Sequence, residues 1–327
     1  MNKIITFLLL FSASFAFAQS SWKKIDSENY SAKTQLEFRK STPNQFDLYS
    51  LNTSDIINEF ENNTFVYLPI NGTFSKFSVK ESSPFTNTLH SDYGYIKTFS
   101  IKGIDDKTAT GKVTFGTDGM HIIIFSGKHS TIYIDPYTKD KTTYITYKKS
   151  DLNAESNNFS CLLDDNETNK ELVSEKKTSA KNATDGKLRT YRLALACTVE
   201  YANFHLSNQG VSSIETDAVK NAAILSAMNT TISRVNGIFE RDLGVTMNIV
   251  VNNNGINELI FINSDELTND DAFELIDESQ EICDSIVGSE NYDIGHTFST
   301  GAGGLATLGA SVITKLKQKE LLEALTL

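Results

Sequence analysis

Between Phe65 and about Lys149, apolar and polar residues alternate in short runs: Tyr95 to Ile101, Gly111 to Phe115, His121 to Ser126, Thr131 to Asp135 and Thr142 to Tyr147. Alternation of period two, punctuated by Gly, Asp and Asn, predicts an antiparallel meander with one face buried. Beyond residue 187 the period changes. A strand is predicted at Tyr191 to Cys197 with Val199, then a helix from Thr216 to Asp242 that places Val219, Ala223, Met228, Ile232, Val235 and Phe239 at helical spacing and ends at Gly244. A strand at Val245 to Val251 follows. A second helix, capped by Asn269 or Asp270, runs to Gly288 with Phe273, Ile276, Cys283 and Ile286 on one stripe, and a third strand covers Tyr292 to Ser299. Strands alternating with helices of this length predict crossover units and a mainly parallel sheet.

The two patterns are separated by residues 151–187, which are rich in Asn, Ser, Glu, Lys and Thr and carry few apolar residues beyond Phe159, Leu162, Leu163 and Val173. Such a segment reads as a polar linker, open to nicking at Glu175-Lys176-Lys177 and Lys187-Leu188-Arg189. At the other end, Met1-Asn2-Lys3, the apolar run Ile4 to Phe17 and the triplet Ala16-Phe17-Ala18 have the three regions of a signal peptide cleaved after Ala18. The run falls short of the roughly 20 apolar residues needed to span a bilayer, and no second run follows. The expected organisation is a signal peptide at 1–18, a β-rich domain at 19–150, the linker at 151–187, a second domain at 188–312 and a distinct tail at 313–327, exported to the periplasm or the exterior.

Charge narrows the partners. Acidic residues outnumber basic ones by 41 to 30, with no Lys or Arg cluster interleaved with aromatics, so no nucleic-acid surface is expected. The cysteines Cys161, Cys197 and Cys283 are odd in number, so an exported chain leaves at least one unpaired within itself. Gly301 to Ala306 satisfies G-x-G-x-x-[GA] after a predicted strand, but no helix, further strand and acidic residue follow it as a dinucleotide site requires. The histidines His90, His121, His129, His205 and His296 contain no H-E-x-x-H and no i, i+4 pair, so they define no metal site. His296, in an apolar strand, is either a ligand or base, or a buried histidine satisfied by hydrogen bonds. No G-x-S-x-G nucleophile elbow is present.

Two stretches, Tyr191-Arg192-Leu193-Ala194-Leu195-Ala196-Cys197-Thr198-Val199-Glu200-Tyr201 and Asn291-Tyr292-Asp293-Ile294-Gly295-His296-Thr297-Phe298-Ser299-Thr300-Gly301, the latter running on to Gly303-Gly304-Leu305-Ala306-Thr307-Leu308-Gly309, resemble the bacterial reprolysin-like branch of the metzincin zinc proteases. Asn229 with Val235-Asn236-Gly237-Ile238-Phe239 is similar to that family's first long helix, and Ile134-Asp135-Pro136 with Tyr144 to Tyr147 to the end of its pro-domain. The resemblance covers roughly Lys187 to Val312. The fold class it implies is α+β or α/β: an N-terminal antiparallel β-rich pro-domain, followed by the upper (N-terminal) half of a metzincin-like catalytic domain with a mixed, mostly parallel twisted sheet and two long helices. It also implies a polypeptide substrate paired by its backbone along an edge strand made of Gly303, Gly304, Leu305, Ala306, Thr307, Leu308 and Gly309. Small residues suit such close approach of another backbone, although a glycine-rich turn has the same composition.

In that family a helix bearing H-E-x-x-H-x-x-G-x-x-H follows, whose histidines hold zinc and whose glutamate acts on the zinc-bound water. This sequence departs from the pattern after Ala310-Ser311-Val312, reading Ile313 to Leu327 instead. Read one frame over, the codons for Leu316 to Ala324 can spell Lys-Ala-Lys-Gly-Val-Thr-Gly-Ser, which resembles the segment before the zinc helix. A shifted frame near Val312 to Lys315 and a short terminal helix are the two readings of the tail. The expectation is a truncated secreted zinc metalloendopeptidase precursor that binds no catalytic zinc and cleaves nothing by itself. Cys161 is either an unpaired cysteine or a thiolate that keeps a zymogen latent by occupying zinc. Cys197 and Cys283 read as small buried hydrophobes. The rival reading is a non-catalytic secreted module whose β-rich domain binds or chaperones a partner.

Overall fold

The computed structural model describes residues 21–26, 43–152, 185–251, 259–260, 266–301 and 304–306. The signal segment, most of the linker with Cys161, the tail from residue 307, and Gly303 lie outside them. The fold is mixed α+β, and none of its described helices is long and apolar enough to cross a membrane.

A nine-stranded antiparallel sheet forms the N-terminal unit. Its strands are β1 (Lys23–Ile25), β2 (Asp47–Ser50), β3 (Phe65–Ile70), β4 (Thr73–Glu81), β5 (Lys97–Gly103), β6 (Thr110–Gly116), β7 (Gly119–Phe125), β8 (Ile132–Pro136) and β9 (Thr143–Lys148), in the spatial order β1-β2-β9-β8-β7-β6-β5-β4-β3. The five alternating runs become β5 to β9. The sequence reading did not name two helices here, α1 (Thr53–Asn62) and α2 (Asn87–Tyr93), which fall short of the roughly 11 to 18 residues over which helical periodicity is read. One sheet face is apolar: Phe99, Val113, Phe115, Ile122, Ile124 and Ile134 pack with Ile56 and Phe60 of α1.

The second unit contains β10 (Arg189–Cys197), α3 (Val199–Gln209), α4 (Asp217–Asp242), β11 (Val245–Val250), α5 (Ala272–Ile286) and β12 (Ile294–Phe298). Its three strands are all parallel, in the order β11-β10-β12. Val199 does not extend the strand as expected. Thr198 caps a helix there, its side chain accepting a hydrogen bond from the Tyr201 amide, so the chain turns at that residue. The cap of α5 also differs: Asp271, rather than Asn269 or Asp270, accepts from the Phe273 and Glu274 amides. The register of α5 turns Phe273 into solvent, 61% exposed, and buries Ser279 and Cys283 with Leu275, Ile282 and Ile286 against the sheet. Gly244 (φ +64°) and Gly288 (φ +88°) follow α4 and α5 in the left-handed conformation that ends a helix.

Helix α4 lies between the two sheets. One side carries Ala223, Ile224, Met228, Ile232 and Val235 into the core of the second unit. The opposite side is polar, and it is buried too: Ser226, Asn229, Thr230 and Ser233 all lie against the nine-stranded sheet. Gly237 fits there because a Cβ would stand 3.0 Å from the Phe125 ring and 3.2 Å from the Lys112 stem. The division of the chain at the linker is not a division of the core. Phe85, Leu89, Tyr93 and Ile96, from the N-terminal unit, share one hydrophobic cluster with β10, β11 and α4.

Asn236 fixes α4 to the sheet it precedes. Its side-chain amide donates to the Met247 carbonyl and accepts from the Met247 amide, each at 2.8 Å, in a buried setting. Replacing it leaves both backbone groups of Met247 without these partners, so Asn236→Ala is expected to lower stability by about 1–3 kcal/mol. Chemical denaturation followed by circular dichroism measures the loss; an unchanged midpoint would remove Asn236 as a fixing point.

Candidate functional site

The two stretches that carry the family resemblance become neighbours, since Leu193 to Cys197 of β10 pair in parallel with Ile294 to Phe298 of β12. An ion pair sets this register: Arg192 donates from Nε to Asp293 Oδ2 at 3.1 Å and from a terminal nitrogen to Oδ1 at 2.8 Å. At the far end of the strands, Asn269 acts as a hub. Its Oδ1 accepts from Thr198 Oγ1 at 2.9 Å and from the Thr300 amide at 3.0 Å, tying the end of β10 to the loop that leaves β12. That is why Asn269 does not cap α5. Gly301 passes so near this loop that a Cβ would lie 2.4 Å from the Asn269 carbonyl oxygen, so a residue with a side chain would force the loop away.

The hub sets the start of the segment expected to be the substrate-pairing edge. Of the seven residues named for that role, Gly304 is buried, Leu305 and Ala306 are half-buried, and Gly303, Thr307, Leu308 and Gly309 lie outside the described residues. Among the described strands β12 has one neighbour, β10.

His296 is 4% exposed, with its ring edge-on to Phe298 at 4.9 Å. Burial pushes its pKa down to about 4, so it is a neutral core imidazole at pH 7, and its Nε2 has no hydrogen-bond partner among the described residues. It stands alone: no group of three or more His, Cys, Asp or Glu positioned to hold a metal occurs among the described residues. Cys197 and Cys283 are buried, as expected for small hydrophobes, and burial pushes the Cys283 thiol up to about 12.

A second cluster, which the sequence did not announce, joins the two units. Register places Thr98 of β5 opposite Thr114 of β6, and Thr114 opposite His121 of β7. Asp135 of β8 follows one position beyond the Ile122–Ile134 pair, completing a polar row across four strands. His121 Nδ1 is 2.8 Å from Asp135 Oδ1 and its Nε2 is 3.2 Å from Asp118 Oδ2. From α4, Arg234 reaches Asp135 Oδ1 at 2.6 Å, while Ser226 and Thr230 donate to the Asp118 carboxylate. Tyr147 donates its hydroxyl to Asp135 Oδ2 at 3.0 Å. Two carboxylates, Asp135 buried and Asp118 largely buried, thus meet two largely buried cations. Burial disfavours charge on His121, but Asp118 and Asp135 overcome it and raise its pKa to about 9. Burial likewise opposes ionisation of Asp118, and His121 with the Ser226 hydroxyl brings its pKa below the ordinary value. The available sequence signal was an acid amid Ile132-Tyr133-Ile134 and an arginine inside a long helix, polar residues where an interior was expected.

Residues 225–324 match the model of the family described as Metallo-peptidase family M12B Reprolysin-like. It supports a reprolysin-like metallopeptidase. The match takes in most of α4, β11, α5, β12 and the glycine-rich segment, and runs on into the tail. Zinc dependence is general in that family, and peptidases act on polypeptides. No curated protein matches the chain.

Two histidines give opposite pH dependences. The pKa of His121 is raised in the folded chain, so its contribution is full below about 6.5 and is lost as pH rises through about 9, up to roughly 3 kcal/mol at 1.36 kcal/mol per unit. Urea midpoints at pH 7 and pH 10 measure it, and the double substitution His121→Gln with Asp118→Asn, which keeps the charges balanced, should flatten the difference. The pKa of His296 is lowered, so the unfolded chain takes up the proton first and stability falls between about pH 6.5 and about pH 4. His296→Leu should lessen that acid loss by up to roughly 3 kcal/mol; equal acid sensitivity in the variant would show that His296 is not its source.

Proposed function

We propose that the chain is an exported zinc metalloendopeptidase precursor of the reprolysin-like type, carrying its pro-segment and the upper half of the catalytic unit. The observation that carries this is the parallel β11-β10-β12 sheet with α4 and α5, within or beside the segment that matches the M12B family. The substrate would be a polypeptide laid in extended form beside β12, pairing with Gly303 to Gly309. The Asn269 hub and the near approach at Gly301 would hold the start of that edge in place. Export would follow from the leader at residues 1–18, with cleavage after Ala18.

When bound, zinc supplies a polarised water for attack on the peptide carbonyl. The residues of this sequence do not make its ligand set. The five histidines lack the H-E-x-x-H spacing, both ring nitrogens of His121 are engaged by carboxylates, and His296 is a single buried imidazole. We therefore assign no zinc-dependent step to residues 1–327 and read them as inactive alone. For the stretch after Val312, which lacks H-E-x-x-H while the family match extends to residue 324, we read a shifted frame near Val312 to Lys315. The rival, a β-rich binding module with an incidental remainder, fits poorly with a core that residues of both units share.

Purified residues 19–327 are expected to carry no stoichiometric zinc by mass spectrometry and to release no fragments from a denatured protein substrate. Chelator-sensitive cleavage by this chain alone would overturn the inactive reading. Sequencing the gene past the codon for Gly309 in all three frames should reveal H-E-x-x-H; a confirmed frame without that motif in any frame would remove the precursor reading.

A further inference from the structure

Three of the contacts between the N-terminal unit and the second unit are built into the fold. First, Phe85, Leu89, Tyr93 and Ile96 are all under 10% exposed and lie in the same cluster as Leu193, Leu195, Met228 and Ile249. Second, the segment before α2 runs along the outer edge of β11: the Ile249 amide donates to the Pro84 carbonyl at 2.7 Å, and Thr86 Oγ1 donates to the Ile249 carbonyl at 3.2 Å. Ile249 thereby gains a parallel partner at Phe85, so the edge of the three-stranded sheet is closed by the other unit. Third, the polar side of α4 is bonded to the nine-stranded sheet, through Thr98 to Asn229 at 3.1 Å, Thr114 to Thr230 at 3.1 Å, Lys112 to Glu240 at 2.9 Å and Asp135 to Arg234 at 2.6 Å.

We propose that the N-terminal unit, the pro-segment of the function proposed above, stays with the second unit as a resident subunit: it remains bound after the chain between residues 152 and 185 is cut. Removing it would strip apolar side chains from one core, leave the Ile249 backbone groups at the β11 edge without their partners, and hand Arg234 and the α4 hydroxyls to water. Exposing the apolar side chains costs free energy in proportion to their area, and the polar groups, which water can re-bond, fix where the two units meet. Its contacts include the β11 edge, α4 and α3, where Thr117 Oγ1 donates to Gln209 Oε1 at 2.8 Å, while β12 lies at the other side of β10. Residence is therefore compatible with an open β12 edge, and the inference stands whether or not that edge takes a substrate.

The test uses the full exported chain with a site-specific protease recognition sequence inserted between Lys176 and Lys177, cut after folding. Size-exclusion chromatography at pH 7.5 in 0.15 M and 1 M salt should show the two fragments eluting together at the size of the uncut chain. Separate elution without denaturant overturns the proposal. In the cut chain, Leu89→Ala is expected to weaken the association at least tenfold by dilution, with the far-ultraviolet spectrum retained. Association as tight as that of the unaltered cut chain would overturn the shared-core basis. Hydrogen exchange on the uncut chain gives a readout that does not depend on a variant. The Ile249 amide should exchange at least a hundredfold more slowly than an exposed amide, and fast exchange there overturns the claim that the β11 edge is closed.

Discussion

The structure depends on the burial of both sides of helix α4. An amphipathic helix ordinarily buries one stripe and leaves its polar face in water. Here the apolar stripe packs on the three-stranded sheet, and the polar face is roofed by the nine-stranded sheet, which answers it with a row of polar residues: Thr98, Thr114, His121 and Asp135. Hydroxyls alone would make a weak joint, because each bond formed replaces one to water. The joint is made specific by the charge cluster, in which Arg234 and His121 balance Asp118 and Asp135. Such a cluster is weak evidence for added stability but strongly opposes any arrangement that leaves one member buried and unpaired.

This arrangement bears on how the N-terminal unit relates to the second unit. The segment from Ser83 to Ile96 leaves the nine-stranded sheet after β4, pairs with β11, contributes α2 to the second core and returns as β5. The excursion lies in the middle of the meander, so the sheet cannot be removed without it. At the opposite end of the three-stranded sheet the Asn269 hub holds the chain leaving β12. The β11 edge of the sheet thus meets the chain's own N-terminal unit at Ile249, and β12 lies at the other side of β10.

Much of the local structure was legible because it is set by nearest neighbours. Alternation marked β5 to β9, and Thr216 and Gly244 marked the ends of α4, since capping and left-handed glycine conformations depend on only a few residues. The elements that were misjudged are those whose role comes from distant partners. Val199 looked like a continued strand, yet Thr198 is drawn into a cap and into a bond with Asn269. Phe273 looked like a core residue of α5, but the register of the helix on the sheet turned it outward. Asn269 looked like a cap and instead holds two loops together.

By itself, then, the sequence determined the period of each element, the family likeness of its second half and the absence of an H-E-x-x-H triad, because composition and spacing are properties of the chain. Only the tertiary structure decided that the polar side of α4 is an interior surface and that Asp135 and Arg234, one on a strand and one on a helix, form an ion pair. The same holds for Leu89, which completes a core on the far side of a linker. The physical reason is that burial is relational. A serine or arginine facing outward from a helix has the same sequence signature whether it meets water or a sheet whose polar row matches it, and only the folded partner settles which.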